Sequence, residues 1–173
     1  MSETAKYSAL ESLHNGQRVE IRALQPDDQA GLVAAVGRAS SDSRYRRFFG
    51  PKRDFTEQEI AYFVNVDFVN HVALVAVVQE GGQPVIIAGA RYVVVKPGQA
   101  EVAFAVVDQY QGQGLGTLLM RHLVALARAA GLQQLIAEVL PENASMLKVF
   151  EKSGLRISTM REPQVVHVTL DLA

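Results

Sequence analysis

The sequence contains no cysteine. That removes disulfides, thiolate metal ligands and a cysteine nucleophile together, and it suits a reducing compartment such as the cytoplasm. Neither sign of charge is in excess: 17 Lys+Arg against 18 Asp+Glu give a formal net charge of −1. Bulk electrostatics therefore gives no reason to expect nucleic acid or an anionic membrane as a partner. There is no long apolar run. The greasiest stretch, AYFVNVDFVNHVALVAVV, is interrupted by Asn65, Asp67, Asn70 and His71, so it is not a membrane span, and the opening MSETAKYSALESLHNG has no apolar signal core. Repeats, low-complexity tracts and linkers are also absent. What is there is 173 residues, 49% of them hydrophobic. That is enough for one domain, which can bury roughly 70% of its unfolded surface without a covalent or metal staple.

The hydrophobic periodicity predicts the elements. RVEIRAL (18–24) alternates, with Val19 and Ile21 on one face, and reads as a strand. Pro26-Asp27-Asp28 supplies turn and cap residues for a helix near 28–38. The basic, aromatic run SSDSRYRRFFGPKRDF (40–55) reads as a short helix and a loop. Thr56 to Glu59 has capping-box spacing ahead of Ile60, Phe63 and Val64, the apolar face of a further helix. His71 to Gln79 and Val85 to Val95 are β-branched strands joined through EGGQP, and KPGQ turns the chain into a third, AEVAFAVV (100–107). Leu115, Leu118, Leu119, Leu123, Leu126 and Ala130 recur at helical spacing, with Gly131 as the stop. LIAEVL (135–140) is a strand. Asn143 caps a short helix with Met146, Leu147 and Phe150 inward, closed by Gly154, and two strands follow at Arg156–Met160 and Val165–Leu172. The expectation is one α/β domain over 1–173, with a mixed, mostly antiparallel central sheet of about seven strands flanked by helices. Residues 1–16 read as an N-terminal extension, helical or disordered.

The informative stretch is YQGQGLGT, Tyr110 to Thr117. A strand, then closely spaced glycines, then a helix start brings several N–H groups into one concavity at the positive end of a helix dipole, which suits an anion. A tight turn with no ligand is the plain alternative. Two familiar phosphate loops fit poorly. A P-loop needs Gly-Lys before Ser or Thr, and Gly116 is followed directly by Thr117. A dinucleotide fingerprint needs G-x-G-x-x-G early in a βαβ unit, and here the spacing is G-x-G-x-G after a meander.

Gln111-Gly112-Gln113-Gly114-Leu115-Gly116 matches Q/R-x-x-G-x-G/A, and it resembles the acyl-CoA pyrophosphate loop of the GCN5-related N-acetyltransferases (GNAT). The resemblance covers nearly the whole chain, in the family's order, including AEVAFAV before the loop and PENASMLKVFEKSGL after it. It implies a V-shaped opening between the fourth and fifth strands of the family's sheet and acetyl-CoA as co-substrate, with no metal. It assigns the backbone at Val106 to the pantetheine amides and the main-chain amides of Gln111, Gly112, Gln113, Gly114, Leu115, Gly116 and Thr117 to the pyrophosphate. It also assigns Asn143 to the arm of CoA and Phe150 to the thioester side. Asn143 as a plain helix cap and Phe150 as a plain core residue are the alternatives, and Lys148 and Lys152 read more readily as a solvated helix face than as partners of the CoA 3′-phosphate.

The resemblance is strongest to bacterial protein lysine acetyltransferases that modify acyl-CoA synthetases, and it implies Glu101 as the general base. Glu101 shares its strand face with Ala103 and Ala105, which leaves room for a substrate; a solvated strand-end glutamate is the alternative. The position where many family members carry a thiolate-protonating tyrosine holds Phe150, which cannot donate, and Tyr110 belongs to the loop. Without cysteine, transfer is direct, in a ternary complex. SSDSRYRRFF and VDFVNHVALVA resemble the acceptor side of those enzymes, with Arg44, Arg46 and Arg47 either docking a protein or simply solvated; for His71 a hydrogen-bonded strand-end role is favoured over one in the acceptor site. Those relatives often carry an added regulatory or synthetase-like domain; this sequence shows none, which leaves control elsewhere or a different acceptor. A small amine as acceptor, a silent acyl-CoA sensor and a homodimer through C-terminal edge strands stay open.

Overall fold

The computed structural model describes residues 6–37 and 66–172, together with Gln58. The described elements are β1 (Ser8–Ser12), β2 (Arg18–Ala23), a 3₁₀ turn (Pro26–Asp28), α1 (Gln29–Gly37), β3 (His71–Glu80), β4 (Gln83–Lys96), β5 (Gln99–Val106), a second 3₁₀ turn (Asp108–Tyr110), α2 (Leu115–Ala129), β6 (Gln134–Val139), α3 (Ala144–Glu151), β7 (Arg156–Arg161) and β8 (Val166–Asp171). All eight strands form one sheet in the order β1-β2-β3-β4-β5-β6-β8-β7. Only β5 and β6 run parallel; every other neighbouring pair is antiparallel.

Burial follows position in that order. β3 is central, and from His71 to Val78 every residue is buried, because both faces of the sheet are covered there. Such a strand reads as a continuous apolar run rather than an alternation. β8, closer to the edge, alternates buried and half-buried residues, and edge strand β7 is mostly exposed. Val102 and Phe104 lie on one face of β5, where Phe104 meets Phe150 of α3 edge to face, centroids 6.0 Å apart. On the other face β5 presents Glu101, Ala103 and Ala105 opposite Val93, Arg91 and Gly89 of β4. α1 lies over part of that second face, where its Leu32 and Ala35 border a small cavity with Gly89, Arg91 and Ala105.

One expectation changes. The N-terminal extension is neither helical nor disordered at 8–12: Ser8 to Ser12 pair with Arg22 to Arg18 as β1, which brings the described sheet to eight strands. SALES has no apolar face to betray it, and its one large apolar residue, Leu10, is 69% exposed. An edge strand held by main-chain hydrogen bonds needs no hydrophobic alternation. The basic run at 40–55 and the helix expected from Thr56 lie outside the described residues.

Candidate active site

β5 and β6 pair over only three positions, Gln99↔Gln134, Ala100↔Leu135 and Glu101↔Ile136. Beyond Glu101, β5 stays paired with β4 as far as Ala88↔Val106, while β6 continues beside β8 to Val139↔Val166. The sheet is therefore split between its two parallel strands. A cleft of ≈ 290 Å³ fills the opening, walled by Phe104, Ala105 and Val106 of β5, by the glycine loop and first turn of α2, and by Asn143 to Lys152 around α3. With β1 added at the front, this is the splay expected between the fourth and fifth strands of the shorter count.

The three glycines have separate reasons. Gly112 and Gly114 lie at φ +78° and +86°, in the left-handed region that side chains avoid. Gly116 is helical, but a Cβ there would meet Val149 Cγ2 at 2.9 Å, so the missing side chain lets α2 and α3 approach. The first helical bond of α2 is donated by Leu118 to the Gly114 carbonyl, 3.0 Å. The N–H groups of Leu115, Gly116 and Thr117 precede that ladder and sit at the end carrying roughly half a positive charge. The ionisable side chains described around the cleft agree with that polarity. His14, Lys148 and Lys152 line it, and no Asp or Glu is among its described lining residues. In a chain of net charge −1, that local excess suits an anionic ligand.

The expected residues divide. Val106, Gln111, Gly112, Gly114, Leu115, Gly116, Thr117 and Asn143 come together around the cleft. Asn143 also caps α3, its Oδ1 accepting from Met146 N at 3.2 Å. Gln111 differs from its neighbours. Its N–H donates to the Asp108 carbonyl at 3.1 Å and its Nε2 to the Val106 carbonyl at 3.1 Å, so it ties the loop to β5 rather than adding an N–H to the cradle. Gln113 is not among the lining residues; its carbonyl and Oε1 accept from His14 N (3.1 Å) and Asn15 N (3.2 Å). Phe150 is buried behind Phe104 and does not line the cleft. Lys148 and Lys152 do line it, and both are exposed, as expected of a solvated helix face. The Tyr110 hydroxyl, at the cleft wall, donates to Glu80 Oε2 at 2.6 Å.

Glu101 is 2% exposed and stands at the last β5–β6 pair, where the opening starts. It is not a solvated strand-end glutamate. It shares its face with two more buried polar residues, His71 and Arg91. Arg91 NH1 lies 2.9 Å from His71 Nε2. A guanidinium can only donate, so Nε2 accepts and the imidazole is neutral with its proton on Nδ1. Burial, reinforced by the Arg91 charge, lowers the His71 pKa to about 4, against a smaller opposing pull from Asp67. Asp67 in turn fixes the start of β3: its Oδ1 accepts from the N–H groups of Val69, Asn70 and His71, each at 2.9 Å. These hydrogen bonds, led by that of Val69, hold its carboxyl below the usual range against a smaller desolvation effect.

His14 was missed by sequence reasoning because it sits in the stretch taken as an extension. Its only local signal is the turn chemistry of His14-Asn15-Gly16.

A sheet split between two parallel strands, with a glycine-lined helix start and basic side chains in the split and no Asp or Glu among its described lining residues, suits a ligand that carries phosphate. Residues 18–156 match the family described as the acetyltransferase (GNAT) domain, and the chain belongs to that family of acetyltransferases, which use acetyl-CoA. It is 33% identical over 138 residues to Acetyltransferase PA5475 of Pseudomonas aeruginosa, covering 79% of this chain and 74% of that one. It is 34% identical over 146 residues to Acetyltransferase Pat of Mycolicibacterium smegmatis, covering 82% of this chain but 42% of Pat. The crystal structure of the GNAT domain of S. lividans PAT superposes with a TM-score of 0.82 at 35% identity, covering 95% of this chain and 96% of that one. Among the described residues no helix is long and apolar enough to cross a membrane.

Proposed function

We propose that the chain transfers an acetyl group from acetyl-CoA to a lysine side chain of a protein such as an acyl-CoA synthetase, with Glu101 as general base. The observation that carries the reading is the burial of Glu101 at the vertex of the β5–β6 opening, one face of β5 away from the wall of the cofactor cleft. Likeness to Pat and to the S. lividans PAT domain supports the acceptor class.

The described residues fit acetyl-CoA. The Gly112–Thr117 cradle and the basic cleft wall would hold the phosphates, with Lys148 and Lys152 toward the 3′-phosphate. Asn143 and the Val106 backbone would hold the pantetheine arm. Bound there, acetyl-CoA supplies an activated thioester. The chain's own task is the proton and the charge. A lysine of pKa ~10.4 is neutral about once in 2,500 at pH 7, so the attacking amine must lose a proton. The Glu101 carboxylate takes it, directly or through a water. A main-chain N–H of β5 near Val106 would hold the negative charge that develops on the carbonyl oxygen. The amine nitrogen bonds to the acetyl carbon as the C–S bond breaks, and the thiolate, whose low pKa makes it a good leaving group, departs without a tyrosine at position 150. With no cysteine in the chain, no acetyl-cysteine stage intervenes.

The test is CoA release from acetyl-CoA with an acyl-CoA synthetase and, in parallel, a panel of free amines. Release with the synthetase, abolished by Glu101→Gln, supports the proposal. Release with an amine alone moves the acceptor to a small molecule, and acetyl-CoA binding without release to any acceptor favours a sensor.

A further inference from the structure

The β1–β2 turn reaches across the molecule to the glycine loop. It is closed on itself by Leu13 N to Gln17 O (2.9 Å), Gly16 N to Leu13 O (2.9 Å) and Gln17 N to Asn15 Oδ1 (2.9 Å). It is then tied to the loop by the two hydrogen bonds that Gln113 accepts from His14 and Asn15. These leave the His14 ring over the start of α2. A Cβ built on Gly114 would lie 2.6 Å from His14 Nε2 and 3.1 Å from both Cδ2 and Cε1. The ring lines the cleft together with Lys148 and Lys152, and His14 lies outside the glycine motif.

β1 itself is clasped to α2. The Tyr7 hydroxyl donates to Nδ1 of His122. His122 Nε2 then donates to Glu11 Oε2 at 2.6 Å, and the same oxygen accepts from Arg121 NH2 at 2.7 Å. The clasp holds β1 to α2 ahead of the turn, and the Gln113 ties hold the turn to the glycine loop at residues 14 and 15. β2 and Leu13 are anchored by burial in the core, whereas β1 has no apolar face of its own and is held to the helix by these polar contacts.

We propose that the N-terminal β1–β2 hairpin is a working part of the cofactor site and that His14 is a ligand to the pyrophosphate of acetyl-CoA, donating an imidazole N–H from above the cradle formed by the Gly112–Thr117 amides. The inference rests on the acetyl-CoA reading of the cleft. His14 adds a side-chain donor beside the main-chain donors of the glycine loop. Glu11 and His122 are positioning residues, acting through the turn.

Calorimetric titration of acetyl-CoA and of acetyl-3′-dephospho-CoA, which differ only in the 3′-phosphate, with the wild-type chain, His14→Ala, His14→Gln and Glu11→Gln, tests this. A hydrogen bond to a charged phosphate predicts that His14→Ala weakens both ligands by the same factor, about tenfold. His14→Gln, which keeps an N–H donor, recovers part of the loss. Glu11→Gln gives a smaller loss, and in the double variant with His14→Ala it adds nothing further, because the clasp acts through the residue already removed. Unchanged affinity in His14→Ala, with the wild type binding normally, overturns the inference and leaves the cleft reading standing. A loss confined to acetyl-CoA would move His14 to the 3′-phosphate and overturn the pyrophosphate assignment. A wild-type chain that binds neither ligand overturns the cleft reading and this inference with it.

Discussion

The two faces of β5 are built on different principles. Toward the cleft, Phe104 and Val106 meet a loop whose shape comes from glycines, and the donors it presents are main-chain N–H groups. Toward the other face, Glu101 shares a buried surface with Arg91 and His71, and everything chemical there is carried by side chains. A cradle of backbone amides is insensitive to the identity of most side chains around it but intolerant of a Cβ at a few points. A buried carboxylate is the opposite: one atom changed alters the chemistry and leaves the fold. Binding and chemistry should therefore separate under mutation.

The largest effect expected is on the Glu101 face. Glu101→Gln should lower kcat by roughly 10²- to 10⁴-fold, the range for loss of a positioned general base, while acetyl-CoA affinity stays at the wild-type value. Steady-state CoA release and calorimetry together read that split. Next comes the cradle. Gly114→Glu places a side chain and a negative charge where the His14 ring and the α2 start meet, so acetyl-CoA binding should be lost. The φ of +86° adds a strain of about 1–2 kcal/mol, which circular dichroism should show the fold survives. Persisting affinity in that variant would break the comparison, since the loop would then not be the binding element. Smaller again, Lys148→Ala with Lys152→Ala should raise the acetyl-CoA KM several-fold, with the loss shrinking at high salt, because both lysines are exposed.

The last effect is on stability rather than on function and belongs to the side-chain face. His71 titrates at about 4 in the fold against ~6.5 when unfolded. Between those values the unfolded chain binds more protons, so stability rises with pH through that window. It is complete above the unfolded value and falls as the pH drops below it, by up to about 3 kcal/mol near pH 4. Denaturant titrations from pH 7 to pH 4 should show the decline, and His71→Gln, which can still accept from Arg91, should flatten it.

How much of this was legible varies with what holds each part together. The cleft half could be read because glycines at 112, 114 and 116 mark backbone conformation and close packing directly in the sequence. β3, β4 and β5 could be read because burial imposes a β-branched pattern. β1 could not, since an edge strand paired only through its main chain leaves no hydrophobic period, and His14 went unread with it. Gln111 fills the motif's first position and Gln113 an unrestricted one, yet one ties the loop to β5 and the other holds the β1–β2 turn, a division that no one-dimensional pattern carries. Spacing turned Phe150 inward, as it is, but that it packs against Phe104 rather than lining the cleft depends on the angle between α3 and the sheet. Alternation alone gave Glu101 its face, but its place at the last β5–β6 pair follows from where two strands distant in sequence stop pairing.

The separation of binding from chemistry is tested most directly by one paired measurement on Glu101→Gln: acetyl-CoA affinity by calorimetry, and acetylation of an acyl-CoA synthetase by intact mass at saturating acetyl-CoA. The expected result is wild-type affinity with acetylation reduced at least a hundredfold. Acetylation at the wild-type rate would contradict the account, because the buried glutamate at the opening of the sheet would then have no part in the proton transfer.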